Sequence, residues 1–259
     1  MNARRILINN IETHFQTAGQ GPVILILHGW GGGSPSWAKV QEILSEKGFT
    51  LICPDFPGFG KSAPPKEPWK LSDYAYWTYG FARSQGLEKF FLLGHSFGGR
   101  VAIKFAASYP EKLNKLILCA SGGIKQKKGI GTKIIIKLAK IGKKVFSHRL
   151  LAKFKGEAKN IFYVFLRRRD YVKAKGVMRP TFKKVLAEDL LPVAQRIKTK
   201  TLIIWGKNDK ILPLKDAHLF QDNIKDSQLE VLPNVGHSPH LEKPEEFTGI
   251  IYQFLKSNS

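Results

Sequence analysis

Carboxylates are the scarce residues of this chain: 20 Asp and Glu stand against 42 Lys and Arg in 259 residues, a net charge of +22. Cysteine is nearly absent as well. The only two, Cys53 and Cys119, each end an apolar run, so they read as buried reduced thiols rather than as a disulfide framework, and a reducing compartment is expected. No stretch approaches the roughly 18 consecutive apolar residues of a membrane span. Behind the Arg4-Arg5 pair only Ile6, Leu7 and Ile8 follow as an apolar run, short of the roughly 7 to 15 residues of a signal-peptide core. A cytoplasmic protein is therefore expected, peripheral to a membrane if its basic surface binds one.

The acid shortage is local. Residues 121–200 hold 23 Lys and Arg against 4 Asp and Glu, and the rest of the chain holds 19 against 16. Any account of the charge is an account of that segment.

Outside it, apolar runs alternate with helical patterns. Residues 4–8 and 11–17 read as a hairpin turning at Asn9-Asn10, and V-I-L-I-L at 23–27 reads as a strand buried on both faces of a parallel sheet. Ser34-Pro35 offers an N-cap and a first-turn proline for a helix to about Lys47. A strand near 49–53, a Pro/Gly loop to Pro68, a helix over about 72–86 and a strand at 90–93 follow. A helix ending before Pro110 and a strand L-I-L-C at 116–119 complete this half. The alternation resumes with a strand at 201–205, a strand at about 228–232 and a closing helix at about 244–255. It predicts a parallel sheet wound on both sides. Between the two halves the patterns are helical and basic. Ile130, Ile134, Leu138, Ile141 and Val145 form one stripe opposite Lys133, Lys137, Lys140 and Lys144. Residues 150–166 form a second helix, and a third begins near Thr181.

Phe90 to Gly99, F-F-L-L-G-H-S-F-G-G, puts a serine between glycines at the junction of a strand and a helix. Ser96 at such an apex takes a strained backbone, and Gly94 and Gly98 stand where no Cβ can be accommodated. A serine hydroxyl needs a base and an orienting acid to act as a nucleophile. Of seven histidines, His237 lies in a loop just after the last predicted strand, the edge where ligands collect in open α/β sheets. Asp209 follows the strand ending at Trp205, with Asp216 and Glu242 as reserve acids. His28 and His95 adjoin important turns and read as structural, yet with Gly29 and Phe59 they also stand as candidate substrate contacts. His148 falls in the basic segment, and His14, His218 and His240 carry no supporting pattern.

Five motifs in order carry a resemblance: H-G-W-G-G at 28–32, D-F-P-G-F-G-K-S at 55–62, G-H-S-F-G-G at 94–99, W-G-K-N-D at 205–209 and G-H-S-P-H-L-E-K-P at 236–244. The chain resembles a single-domain α/β-hydrolase bearing a helical cap, the order Ser96, Asp209, His237 being that of its catalytic triads. The resemblance implies an α/β fold with a mostly parallel eight-stranded sheet, a core of residues 1–122 and 191–259, and a Lys/Arg-rich cap at 123–190. It also implies an oxyanion hole from the backbone N–H groups of Trp30 and Phe97. The expected activity is a serine hydrolase of carboxylic esters or thioesters through an acyl-enzyme on Ser96, without cofactor or metal. The alternatives are C–C, amide or lactone hydrolysis, perhydrolysis, or a non-catalytic ligand-binding module of the same fold.

Two sharper motifs fail. A phosphate-binding loop G-x-x-x-x-G-K-S ending at Ser62 would need glycine at position 55, where Asp55 would repel phosphate. Gly31-Gly32-Gly33 lacks the dinucleotide spacing. The basic segment is expected to be either a solvated helix face or a surface for an anionic membrane or an acidic protein partner. No nucleic-acid motif accompanies it. A small-molecule acyl substrate and a monomer or weak dimer complete the expectation.

Overall fold

The structure, a computed structural model, describes residues 2–125 and 174–257. Its strands are β1 (Asn2–Ile8), β2 (Ile11–Ala18), β3 (Val23–Leu27), β4 (Thr50–Pro54), β5 (Phe90–His95), β6 (Leu113–Cys119), β7 (Thr201–Gly206) and β8 (Ser227–Leu232). They form one eight-stranded sheet in the order β1-β2-β4-β3-β5-β6-β7-β8. β2 runs antiparallel to β1 and β4, and every other neighbouring pair is parallel. The Asn9-Asn10 turn follows from chemistry: both residues take positive φ, 50° and 61°, which asparagine tolerates and a tight hairpin requires.

Helices cover both faces, as the continuous apolar strands demand. On one side α2 (Leu71–Ser84) and α3 (Phe97–Ser108) bury Trp77, Phe81 and Phe105, and α6 (Leu214–Asn223) adds Phe220. On the other, α1 (Ala38–Glu46) and α8 (Pro244–Lys256) bury Leu44, Phe247 and Ile251 around Trp37. The turn before α1 differs from the sequence expectation. A 3-10 turn over Ser34–Trp37 precedes the helix, and Gly33 occupies the N-cap. Ser34 cannot cap because its N–H donates to Asp55 Oδ1 at 2.6 Å, which draws the residue inside, where its hydroxyl is buried without a partner.

The end of α8 is tied down by a lysine from the sheet. Lys115 Nζ, buried under the helix, donates to the carbonyls of Phe254 (2.8 Å) and Ser257 (2.7 Å), two acceptors at the end of the helix.

In the basic segment, the expected third helix is α4 (Met178–Ala187), followed by the short α5 (Leu191–Ala194). The two helices expected over 130–145 and 150–166, with His148, lie outside the described residues. α4 is fastened to the core at several points. Trp69 N–H donates to Thr181 Oγ1 at 3.1 Å, and Lys184 Nζ to the Pro68 carbonyl at 2.8 Å. From α3, the buried Arg100 guanidinium donates to the carbonyls of Val185 (3.1 Å) and Glu188 (3.3 Å), and Lys104 pairs with Glu188. Burial lowers Arg100 to about 10.

Candidate functional site

The glycines around Ser96 show why the turn has its sequence. Ser96 sits at φ 53°, ψ −107°, between β5 and α3. A Cβ on Gly94 would come within 2.5 Å of the Gly98 carbonyl oxygen, and one on Gly98 within 2.0 Å of the Leu27 carbonyl oxygen. Only bare backbone lets α3 leave the strand so sharply. The Ser96 N–H still donates to the Cys119 carbonyl at 3.0 Å, so the sheet register continues up to the apex.

Two further loops meet Ser96 at the C-terminal edge of the sheet. His237 Nε2 lies 3.0 Å from Ser96 Oγ, and His237 Nδ1 lies 2.7 Å from Asp209 Oδ2. The Asp209 side chain is fully buried and its second oxygen accepts the N–H groups of Ile211 (2.7 Å) and Leu212 (2.9 Å). Both carboxylate oxygens are thereby committed, leaving a fixed acceptor for a protonated Nδ1. The loops can approach because Gly206 ends β7: a Cβ there would lie 2.0 Å from the Gly236 carbonyl oxygen. The two reserve acids are placed differently. Asp216 is buried in α6, and Glu242 bonds backbone rather than imidazole.

Phe97 follows the serine directly, and Trp30 packs against Phe97. Their rings are 5.2 Å apart, and Phe97 opens α3, where first-turn N–H groups have no intrahelical acceptor and the helix dipole favours negative charge. Gly29 presses on the site from behind, since a Cβ there would lie 2.9 Å from His95 Nδ1 and 3.6 Å from Ser96 Cβ. A cavity of about 580 Å³ opens beside Trp30, walled by Phe59, Gly58, Pro64 and the stretch from Ala174 to Met178. Its lining is mostly apolar, and Lys175 supplies a cation at its rim. Of the four candidate substrate contacts only Phe59 lines it. His28 is fully buried, its Nε2 accepting the Phe56 N–H at 2.9 Å and its Nδ1 2.7 Å from the Gly29 carbonyl oxygen. His95 is buried with Nε2 2.9 Å from the His237 carbonyl oxygen. These two histidines hold loops in place and do not face the cavity.

Burial also fixes their charge. It lowers His28, and it lowers His95 further, with His240 and His237 adding repulsion. His240, stacked on Trp37 with centroids 4.1 Å apart, is pushed down to about 3 by burial and then by His237. Among the described residues, one group could hold a metal ion: His95, Cys119 and His240, whose ligand atoms lie within 4.8 Å of one another. Burial holds the Cys119 thiol protonated, and His95 Nε2 already faces the His237 carbonyl, so the trio as it stands is closer to packing than to a ligand set.

Sequence reasoning missed the part played by Asp55. Its buried carboxylate accepts the N–H groups of Ser34 (2.6 Å) and Lys61 (2.9 Å) and lies 2.9 Å from His14 Nδ1. Burial alone would raise Asp55, but these donors outweigh it and hold the carboxyl below its ordinary range. Gly60, at φ +55°, leaves space for it, because a Cβ would meet Asp55 Oδ2 at 2.2 Å. The loop that resembled a phosphate cradle already encloses a carboxylate.

The alpha/beta hydrolase fold family model matches residues 22–244. The chain belongs to that family. It is 30% identical over 264 residues to a 2-hydroxy-6-oxo-6-phenylhexa-2,4-dienoate hydrolase of Burkholderia cepacia, covering 96% of this chain and 92% of the relative. An esterase from Exiguobacterium antarcticum superposes with TM-score 0.77 at 26% identity, over 98% of this chain and 99% of that one. A bacterial membrane phospholipase A superposes equally well, TM-score 0.77, at 23% identity over 98% of this chain and 85% of that one, a likeness of fold. This alpha/beta hydrolase has, among its described residues, no helix long and apolar enough to cross a membrane.

Proposed function

We propose that the protein is a serine hydrolase that cleaves a carboxylic ester or thioester by acyl transfer to water. The observation that carries this reading is the continuous set of contacts from Ser96 Oγ through His237 to Asp209, 3.0 and 2.7 Å long. Ser96 Oγ attacks the carbonyl carbon while its proton passes to His237 Nε2, and Asp209 steadies the imidazolium. The N–H groups of Trp30 and Phe97 donate hydrogen bonds to the carbonyl oxygen as it gains negative charge. Collapse breaks the bond to the alcohol or thiol, which takes the proton from His237. Water then attacks the acyl-enzyme with His237 as base, releasing the acid and restoring Ser96.

The apolar wall of Trp30, Phe59 and Met178 supports an apolar group on the substrate. The test is a panel of p-nitrophenyl esters of increasing chain length, run beside Ser96→Ala. Turnover that vanishes in the variant supports the reading, and equal hydrolysis by both proteins contradicts it. C–C bond hydrolysis is the second reading, favoured by the similarity to the dienoate hydrolase, and vinylogous acid substrates in the same panel separate the two. The division into a core of residues 1–122 and 191–259 and a cap at 123–190 is part of the proposal. So is an anionic membrane or acidic protein as partner of the basic segment.

A further inference from the structure

We infer that Glu242 is a positioning residue for His237, acting through the backbone on both sides of it. This rests on the proposed role of His237 as base. One oxygen of the Glu242 carboxylate, Oε2, accepts the Gly236 N–H at 2.7 Å, and the other, Oε1, accepts the Ser238 N–H at 3.0 Å. The two N–H groups gripped belong to the residues on either side of His237, Gly236 and Ser238. Gly236 carries no side chain where one would crowd the grip: a Cβ would lie 3.2 and 3.3 Å from the two carboxylate oxygens.

Glu242 is itself anchored, because its N–H donates to the Ser238 carbonyl at 3.0 Å and it closes the short α7 (Pro239–Glu242). The carboxylate and the turn thus form a ring around residues 236–242. From the opposite side His95 Nε2 holds the His237 carbonyl at 2.9 Å. The backbone is held at the N–H groups of the residues before and after the base and at the base's own carbonyl, and the imidazole is left to bridge Asp209 and Ser96. A carboxylate suits the task because it offers two acceptors and no donor. An amide offers one acceptor and turns an N–H toward the second peptide N–H.

The grip lies at the surface, so water can replace its hydrogen bonds and folding stability depends on it little. Alignment of the base depends on it more, since a displacement near 1 Å costs on the order of 100-fold in rate.

The test compares wild type, Glu242→Gln, Glu242→Ala and a control, Lys115→Met, which loosens the distant end of α8. Each is assayed for ester hydrolysis and for the rate at which a fluorophosphonate labels Ser96, well below its own Tm. Loss of the grip is expected to lower kcat and the labelling rate together by about tenfold in Glu242→Ala, with KM unchanged and Glu242→Gln in between. Lys115→Met should lose Tm and keep both rates. The downfield proton resonance of His237 Nδ1–H, identified by its loss in Asp209→Asn, should broaden or shift in Glu242→Ala and not in Lys115→Met. Unchanged rates in Glu242→Ala, or losses that track Tm equally in the control, would overturn the inference. A wild-type protein that neither labels at Ser96 nor hydrolyses esters would instead overturn the proposed function on which it rests.

Discussion

Acidification from about pH 7.5 to about pH 5 is expected to strip stability from this protein before its carboxylates begin to protonate, because buried histidines are held neutral in the folded state. His240 allows the effect to be sized. Its ordinary value of 6.5 falls to about 3 in the fold, so between those values the unfolded chain binds a proton that the folded chain refuses. Stability therefore falls as pH drops below about 6.5 and keeps falling until about 3. From these two values His240 alone contributes a loss of about 2 kcal/mol between pH 7.5 and pH 5. His28 and His95 are lowered as well and add to the slope in the same window. His240→Phe isolates the term. The phenyl ring keeps the stack on Trp37 and removes both ring nitrogens, of which the buried Nδ1 has no hydrogen-bond partner to lose. Urea unfolding at the two pH values should show the variant losing about 2 kcal/mol less than wild type. An identical pH dependence in both proteins would refute the claim that His240 is buried uncharged.

Other expectations follow from single contacts. Gly98→Ala would drive a methyl to 2.0 Å from the Leu27 carbonyl oxygen, so a cost of about 3 kcal/mol and a Tm drop on the order of 10 °C are expected by calorimetry. A Tm within a degree of wild type would count against the packing described. Asp209→Asn keeps the shape and the fold but offers His237 an amide, and should lower kcat about 10⁴-fold with circular dichroism unchanged. Binding to anionic vesicles through the basic segment should weaken sharply on raising salt from low levels to about 0.5 M, as the Debye length shrinks. Equal binding to neutral vesicles would leave the segment a solvated face.

The parallel strands were legible because burial on both faces leaves continuous apolar runs, and the Ser96 turn because a strand, a serine between glycines and a helix follow one another within ten residues. Asp209 and His237 were legible from position, each in the loop after a strand at the sheet edge where Ser96 stands. Other features depend on partners remote in sequence, and the chain read linearly does not display them. Ser34 is drawn out of its cap by Asp55, 21 residues on, and His95 is turned to a carbonyl 142 residues away. α6 does not stand out in the sequence although Leu214, Ala217 and Phe220 recur at helical spacing behind Pro213, because the segment is short and mostly polar. Glu242 was read as a spare acid for the triad, since sequence gives a carboxylate's neighbourhood but not the direction its oxygens face.

Incubation with a fluorophosphonate followed by peptide mass spectrometry tests the central claim most directly. The account predicts one covalent adduct, on Ser96, formed by the folded protein and lost in His237→Ala. A folded wild-type protein that carries no adduct on Ser96, or that labels equally well without His237, would contradict it.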